Sequence, residues 1–289
     1  MEILETDREA IGDLLVRVES VDGHPGFSEH KEIRLGGAAD AIVGSWGSDG
    51  RVLAVAVAAV RRGREGRHWS LEVAVDPDAR SAGSEQVALT AAREMIPPGE
   101  ACSLWSWREP QVLAAQALGY REVRRLLRME TDLKQIPSSA LPSGVTIEPI
   151  EPSRDITSII AVNNRAFAGH REAAGMNRES LGEQMGLPWY EPEGFLVARS
   201  AGALLGFCWT KQHPDAVGEI YVVAVDPARS GGGLGRALVT AGFASLEARG
   251  ARTGMLWVDE ANAKAVALYR SLGMEPTVAN RELEQVLSR

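Results

Sequence analysis

Two blocks of this sequence occur twice. EVAVDPDARSAGSEQVALTAA (72–92) parallels YVVAVDPARSGGGLGRALVTA (221–241), and REPQVLAAQALGY (108–120) parallels NAKAVALYRSLGM (262–274). The copies keep their order about 150 residues apart, which marks an internal duplication. Between them, IPSSALPSG (136–144) is rich in Pro and Ser and reads as a linker. We therefore expect one domain at 1–135 and another at 145–289. The 289-residue length suits two domains of ordinary size.

In each copy apolar runs of strand length alternate with helical spacing. In the first, Asp7–Val18 reads as a helix, Val21–His30 as a loop, and Ala38–Ser45 and Val52–Val60 as strands around Ser48-Asp49-Gly50. In the second, Asp155–Ala168 reads as a helix, and Phe195–Arg199, Leu204–Lys211 and Ile220–Val225 as strands. The alternation predicts an α/β (α+β) fold. Hydrophobic residues make up 45% of the chain, so sizeable cores are available. The net charge of −8 argues against nucleic acid or an anionic membrane as the main partner. Cys102 and Cys208 form neither a disulfide framework nor a metal-ligand spacing, so no metal is expected. The longest apolar run, Val52–Val60, is nine residues, too short to span a bilayer as a helix. The start, MEILETDREA, is unlike a secretory signal. We expect a cytoplasmic monomer.

The most informative loop lies in the second copy. The strand stops at Asp226-Pro227, because Pro cannot donate to a sheet ladder. Gly231, Gly232, Gly233, Leu234 and Gly235 follow, and a helix begins at about Arg236. Such a turn converges backbone N–H groups at a helix N-terminus, a setting for phosphate or pyrophosphate. Neither the dinucleotide fingerprint nor the Gly-Lys-Ser/Thr phosphate loop fits its spacing. The ordered set Val223-x-Val225-x-Pro227, Gly231 to Gly235, a helix, then Asn262-x-x-Ala265-x-x-Leu268-Tyr269-x-x-x-Gly273 resembles the GCN5-related N-acetyltransferase (GNAT) family. That resemblance implies two tandem domains. Each would be a mixed, mostly antiparallel sheet flanked by helices and splayed between its fourth and fifth strands. It also implies that the turn holds the pyrophosphate of acetyl-CoA. The binding set would be Val223, Ala224, Val225, Ser230, Gly231, Gly232, Gly233, Leu234, Gly235, Arg236, Asn262 and Ala265. Ser230 and Gly232 stand where the family often has Gln or Arg, with Arg229 or Arg236 available as charge partners.

Amide formation from a thioester needs a neutral amine, a polarised carbonyl and a proton for the leaving thiolate. Glu219, at the polar start of its strand, is the candidate base. A β-bulge near Val223–Val225, usual in the family, would free N–H groups for the thioester carbonyl. Asn262 and Tyr269 are seven residues apart and should share a helix face. The resemblance makes Asn262 a partner for the pantetheine amides and Tyr269 the acid that protonates the sulfur. In the first copy Glu85 stands in place of Gly235, Arg108 in place of Asn262 and Ala115 in place of Tyr269. Glu85 should push a negative charge towards any pyrophosphate, leaving that copy inactive.

NNRAFAGHREAAG, PWYEPEGFLVA and LLGFCWTKQHPDAVGEIYVVAVDP look like the C-terminal half of the mycothiol synthase family, tandem acetyltransferases of actinobacteria. The implied acceptor is the small-molecule amine cysteinyl-glucosaminyl-inositol. The resemblance assigns Glu172, Lys211 and Glu219 to it, with Glu29 reaching in from the first copy; Trp257, on the strand before the Asn262 helix, reads as a wall of the substrate site. Carboxylates suit an acceptor bearing an ammonium and many hydroxyls. Cys208 departs from the family's His, and Trp257 from its Tyr. Two alternatives stay open: a GNAT enzyme for another amine or a peptide N-terminus, and a non-enzymatic CoA-binding regulator.

Overall fold

The computed structural model describes residues 2–4, 8–36, 40–49, 51–63, 66–169, 175–229 and 231–285. In chain order the elements are β1 (Glu2–Leu4), α1 (Arg8–Asp22), α2 (Glu29–Glu32), β2 (Ala41–Ser48), β3 (Arg51–Gly63), β4 (Gly66–Val75), α3 (Ala82–Glu94), β5 (Cys102–Ser106), α4 (Glu109–Ala117) and β6 (Tyr120–Asp132). The second copy continues with β7 (Thr146–Pro149), α5 (Pro152–Ala166), α6 (Arg178–Met185), β8 (Phe195–Ser200), β9 (Ala203–Gln212), β10 (Val217–Val225), α7 (Leu234–Ala248), β11 (Thr253–Asp259), α8 (Ala263–Arg270) and β12 (Glu275–Gln285).

Contacts divide the chain into two units that the 136–144 boundary does not describe. Unit 1 is residues 1–125 with 280–289, and unit 2 is residues 126–279. The Pro/Ser-rich segment 136–144 therefore lies inside unit 2. The reason is strand pairing. Unit 1 orders its strands β1-β2-β3-β4-β5-β12, and Arg281–Glu284 of β12 pair antiparallel with Ser103–Ser106 of β5. Unit 2 orders them β6-β11-β10-β9-β8-β7, and Leu126–Asp132 of β6 pair antiparallel with Thr253–Asp259 of β11. Each unit thus ends in a strand from the other half of the sequence.

The sheets are mixed and mostly antiparallel. β4–β5 in unit 1 and β10–β11 in unit 2 are parallel. Both faces of each sheet are covered, which explains the unbroken apolar run in β3. There Ala54, Ala56 and Ala58 face one cluster with α3 and α4, while Val55 and Val57 face another with α1. Unit 2 repeats this. One cluster joins α7 and α8 residues to Cys208, Ile220 and Leu256; the other joins Ile159, Leu181, Phe195 and Trp209. α1 runs four residues beyond Val18, to Asp22.

Candidate active site

The parallel pairing of β10 with β11 covers three positions, ending at Glu219 opposite Met255. β10 continues to Val225 and β11 to Asp259 outside that register, so the sheet opens there. The β-bulge falls between Ile220 and Val222, ahead of the expected Val223–Val225. Its effect shows in the packing. Tyr221 and Val222 both turn to the α5 side, whereas Ile220, Val223 and Val225 pack on the α7 side and Ala224 returns to the α5 side. An extra residue in one strand breaks the alternation and re-aims the side chains beyond it.

Glu219 is directly opposite Lys211 of β9. Each is only 8% exposed, so neither is the solvated surface charge that a strand end often carries. Lys211 Nζ lies 5.0 Å from the centroid of the Trp189 ring, a cation–π contact. Trp189 in turn meets Trp209 and Tyr221, with centroids 5.7 and 4.8 Å away. His213 Nε2 is 2.6 Å from Glu219 Oε2. Sequence reasoning passed over His213, which lies one residue beyond the end of β9, past Trp209 and Lys211 of one sheet face. Trp257 lies exposed on β11, opposite Arg128 of the borrowed strand β6.

On the other face Tyr269 is buried in the α7–α8 cluster with Cys208. Burial, with the neighbouring Cys208, raises its hydroxyl to about 12. It is therefore protonated at neutral pH. Cys208 is fully buried, and a Cβ on Gly242 of α7 would come within 2.5 Å of its Sγ. The residue that departs from the expected His thus faces α7, away from Lys211 and Trp209. Asn262 is the N-cap of α8 rather than a member of its face: its Oδ1 accepts from the Ala265 N–H at 3.2 Å. Its amide N–H groups are left as donors.

The glycine turn joins the end of β10 to the start of α7. Asp226 is anchored by Arg165 at 2.6 Å, and its Oδ1 accepts from the Ala228 N–H at 3.0 Å. Gly231, Gly232 and Gly233 have φ of 108°, 59° and 83°, a left-handed run that L side chains resist. α7 then starts at Leu234, two residues earlier than expected, with Gly233 as N-cap and no side-chain cap. Its first-turn N–H groups meet no side chain of their own helix start, as an anion site requires. Arg236 Nη2 donates to Ser271 Oγ. Leu234 is buried; Val223, Val225 and Ala265 are half-buried. Ser230 and Glu172 lie outside the described residues, as does the Glu29 side chain. Among the described residues no group of three His, Cys, Asp or Glu is placed to hold a metal, and no helix is long and apolar enough to cross a membrane.

Residues 163–274 match the model of the acetyltransferase (GNAT) family. A mycothiol acetyltransferase of Thermomonospora curvata is 42% identical over 213 residues, covering 72% of this chain and 71% of that protein. One of Pseudarthrobacter chlorophenolicus is 37% identical over 283 residues, covering 90% and 87%. The chain belongs to the mycothiol acetyltransferase family. A tandem GNAT protein from the clavulanic acid biosynthesis pathway matches the fold with a TM-score of 0.72 at 17% identity, covering 99% of this chain and 98% of that one. This family member is a GNAT-fold N-acetyltransferase, and the GNAT fold implies acetyl-CoA as the acetyl donor.

The counterpart site in unit 1 of this mycothiol acetyltransferase relative is closed by its own side chains. Glu85 does not project towards a ligand as expected: it is 1% exposed, with Oε1 2.5 Å from Arg108 Nη1 and Oε2 accepting from Gln111 Nε2 at 3.2 Å. Arg80 is held bidentately by Asp22 at 2.6 and 2.7 Å. A cavity of only about 10 Å³ remains, lined by Asp22, Glu72, Arg80, Arg108 and Gln111 among others. That is room for about one water. The N-terminus of α3 is closed by a capping box between Ser81 and Ser84. The same fold position is open at α7 and sealed at α3.

Proposed function

We propose that unit 2 transfers the acetyl group of acetyl-CoA to the cysteinyl amine of cysteinyl-glucosaminyl-inositol, forming mycothiol. The observation that carries this reading is the buried pair Glu219 and Lys211 at the sheet opening, within a chain of this family. In the proposed step the glycine turn and the N-terminus of α7 hold the pyrophosphate, and the thioester enters the opening between β10 and β11. Glu219 takes a proton from the acceptor ammonium, and the freed nitrogen attacks the thioester carbonyl. Backbone N–H groups left unpaired where the strands part stabilise the oxyanion. The C–S bond then breaks, Tyr269 gives its proton to the thiolate, and the second proton of the new amide nitrogen leaves to solvent, from which Tyr269 is reprotonated. Lys211 and the aromatic residues around it border the acceptor, Trp257 forms a wall, and Asn262 donates to the pantetheine arm. Glu29 and Glu172 are proposed acceptor contacts on the family resemblance alone. We assign cofactor binding to unit 2 and a structural role to unit 1.

The test is incubation of the full chain with acetyl-CoA and cysteinyl-glucosaminyl-inositol, with products read by mass spectrometry. N-acetylated product is expected. A chain that acetylates cysteine amide or a peptide N-terminus but leaves this acceptor untouched sinks the assignment.

A further inference from the structure

We propose that His213 is the positioning residue of the catalytic base, an inference that rests on Glu219 being that base. The link between β9 and β10 is four residues, His213 to Ala216. It folds tightly: the His213 N–H donates to the Val217 carbonyl at 2.8 Å. Asp215 and Ala216 both have φ of 58°, a left-handed conformation that costs free energy in residues other than glycine. The turn persists because the Ala216 carbonyl accepts the Arg252 and Thr253 N–H groups at 2.7 and 3.2 Å, pinning it to the start of β11. A strained turn held from outside returns the His213 ring to its own hairpin, over the third residue of β10.

There Nε2 meets Glu219 Oε2 at 2.6 Å. While Glu219 is ionised it can only accept, so the ring carries its proton on Nε2 and donates. A carboxylate gripped at one oxygen presents the other in a fixed direction. His213 thus engages Oε2 and leaves Oε1 for the ammonium proton of the acceptor. The His213 side chain is 30% exposed and that of Glu219 11%, so the ring covers the base from the solvent side. Lys211 stands directly opposite Glu219 on β9. Its ammonium also lies 5.0 Å from the centroid of the Trp189 ring.

Steady-state kinetics on the full chain test this, with Glu219→Gln as reference. His213→Ala should lower kcat about 10- to 100-fold, the scale of a misplaced catalytic group, with the acetyl-CoA KM nearly unchanged. His213→Gln, whose side-chain N–H can reach the same oxygen, should recover most of the loss. In the double variant the His213 loss should vanish, since a positioner without its base has nothing to act on. If Glu219→Gln is inactive while His213→Ala keeps its kcat, or His213→Gln is as poor as His213→Ala, the inference is overturned and the base assignment stands. A fully active Glu219→Gln overturns both.

Discussion

Tyr269 has an environment fitted to one protonation state. Burial beside Cys208 pushes its hydroxyl to about 12, so it stays a donor throughout the pH range in which an amine can be acetylated. Tyr269→Phe keeps the packing and removes the proton. We expect turnover to fall by about 100-fold, the low end for a general acid, because a thiolate needs little help. Isothermal titration should find acetyl-CoA affinity unchanged, and an unchanged kcat at pH 7–8 would return Tyr269 to a packing role. Glu219→Gln should slow turnover most at low pH, where the acceptor is protonated and needs a base; a pH–rate profile from 6 to 9 decides it. Both residues stand out as candidates in the sequence because the patterns that single them out are local. His213 was not, since nothing in a linear string says that a two-residue positive-φ turn folds it back. Glu85 was misread for a related reason. Its chemistry is plain in the sequence, but its direction is set by Arg108 and Gln111, more than twenty residues away.

At the scale of elements, the contrast between α3 and α7 separates a sealed from an open helix start. The Cβ of a residue replacing Gly233 meets no atom within 4 Å, so its cost is backbone strain alone. Gly233→Ala should lower stability by about 1 kcal/mol, seen as a small drop in Tm. Gly233→Asp adds a charge against pyrophosphate and should weaken acetyl-CoA binding at least about tenfold, a penalty of about 1.4 kcal/mol. The loop and helix were readable from the glycines, whereas the missing cap at α7 was not. A second element depends on charge. Asp155, in the first turn of α5, is fully buried. Burial favours its neutral form, but hydrogen bonds from Arg154, the Glu151 N–H and Arg199 outweigh it and hold the carboxyl at about 2. A carboxyl depressed on folding stabilises above its unfolded value of about 3.9 and loses that contribution as pH falls towards 2. Thermal melts should show wild type well above Asp155→Asn at pH 7, with the gap closing between pH 4 and 2.

At the scale of the molecule, the duplication was legible and the exchange of end strands was not. Repeats betray common descent, but pairing partners such as Leu126 with Asp259 leave no periodic mark. The exchange makes fragments unequal to their sequence boundaries. Residues 145–289 lack the seven β6 positions that pair with β11, and should give a broad melt or aggregate through the bare edge. Residues 126–279, cut at the observed unit, should melt more cooperatively by circular dichroism; equal behaviour of the two would argue against a need for β6.

The exchange also sets a timetable for synthesis. The part of β12 that closes unit 1 beside β5 starts at Asn280, after all of unit 2 in the chain. On the ribosome the first unit must wait, with the β5 edge uncovered, until the second has been translated, reversing the usual order in which the N-terminal part finishes first. A premature stop codon just before residue 280 would spare the proposed catalytic residues and leave unit 1, built from the start of the chain, without its last strand.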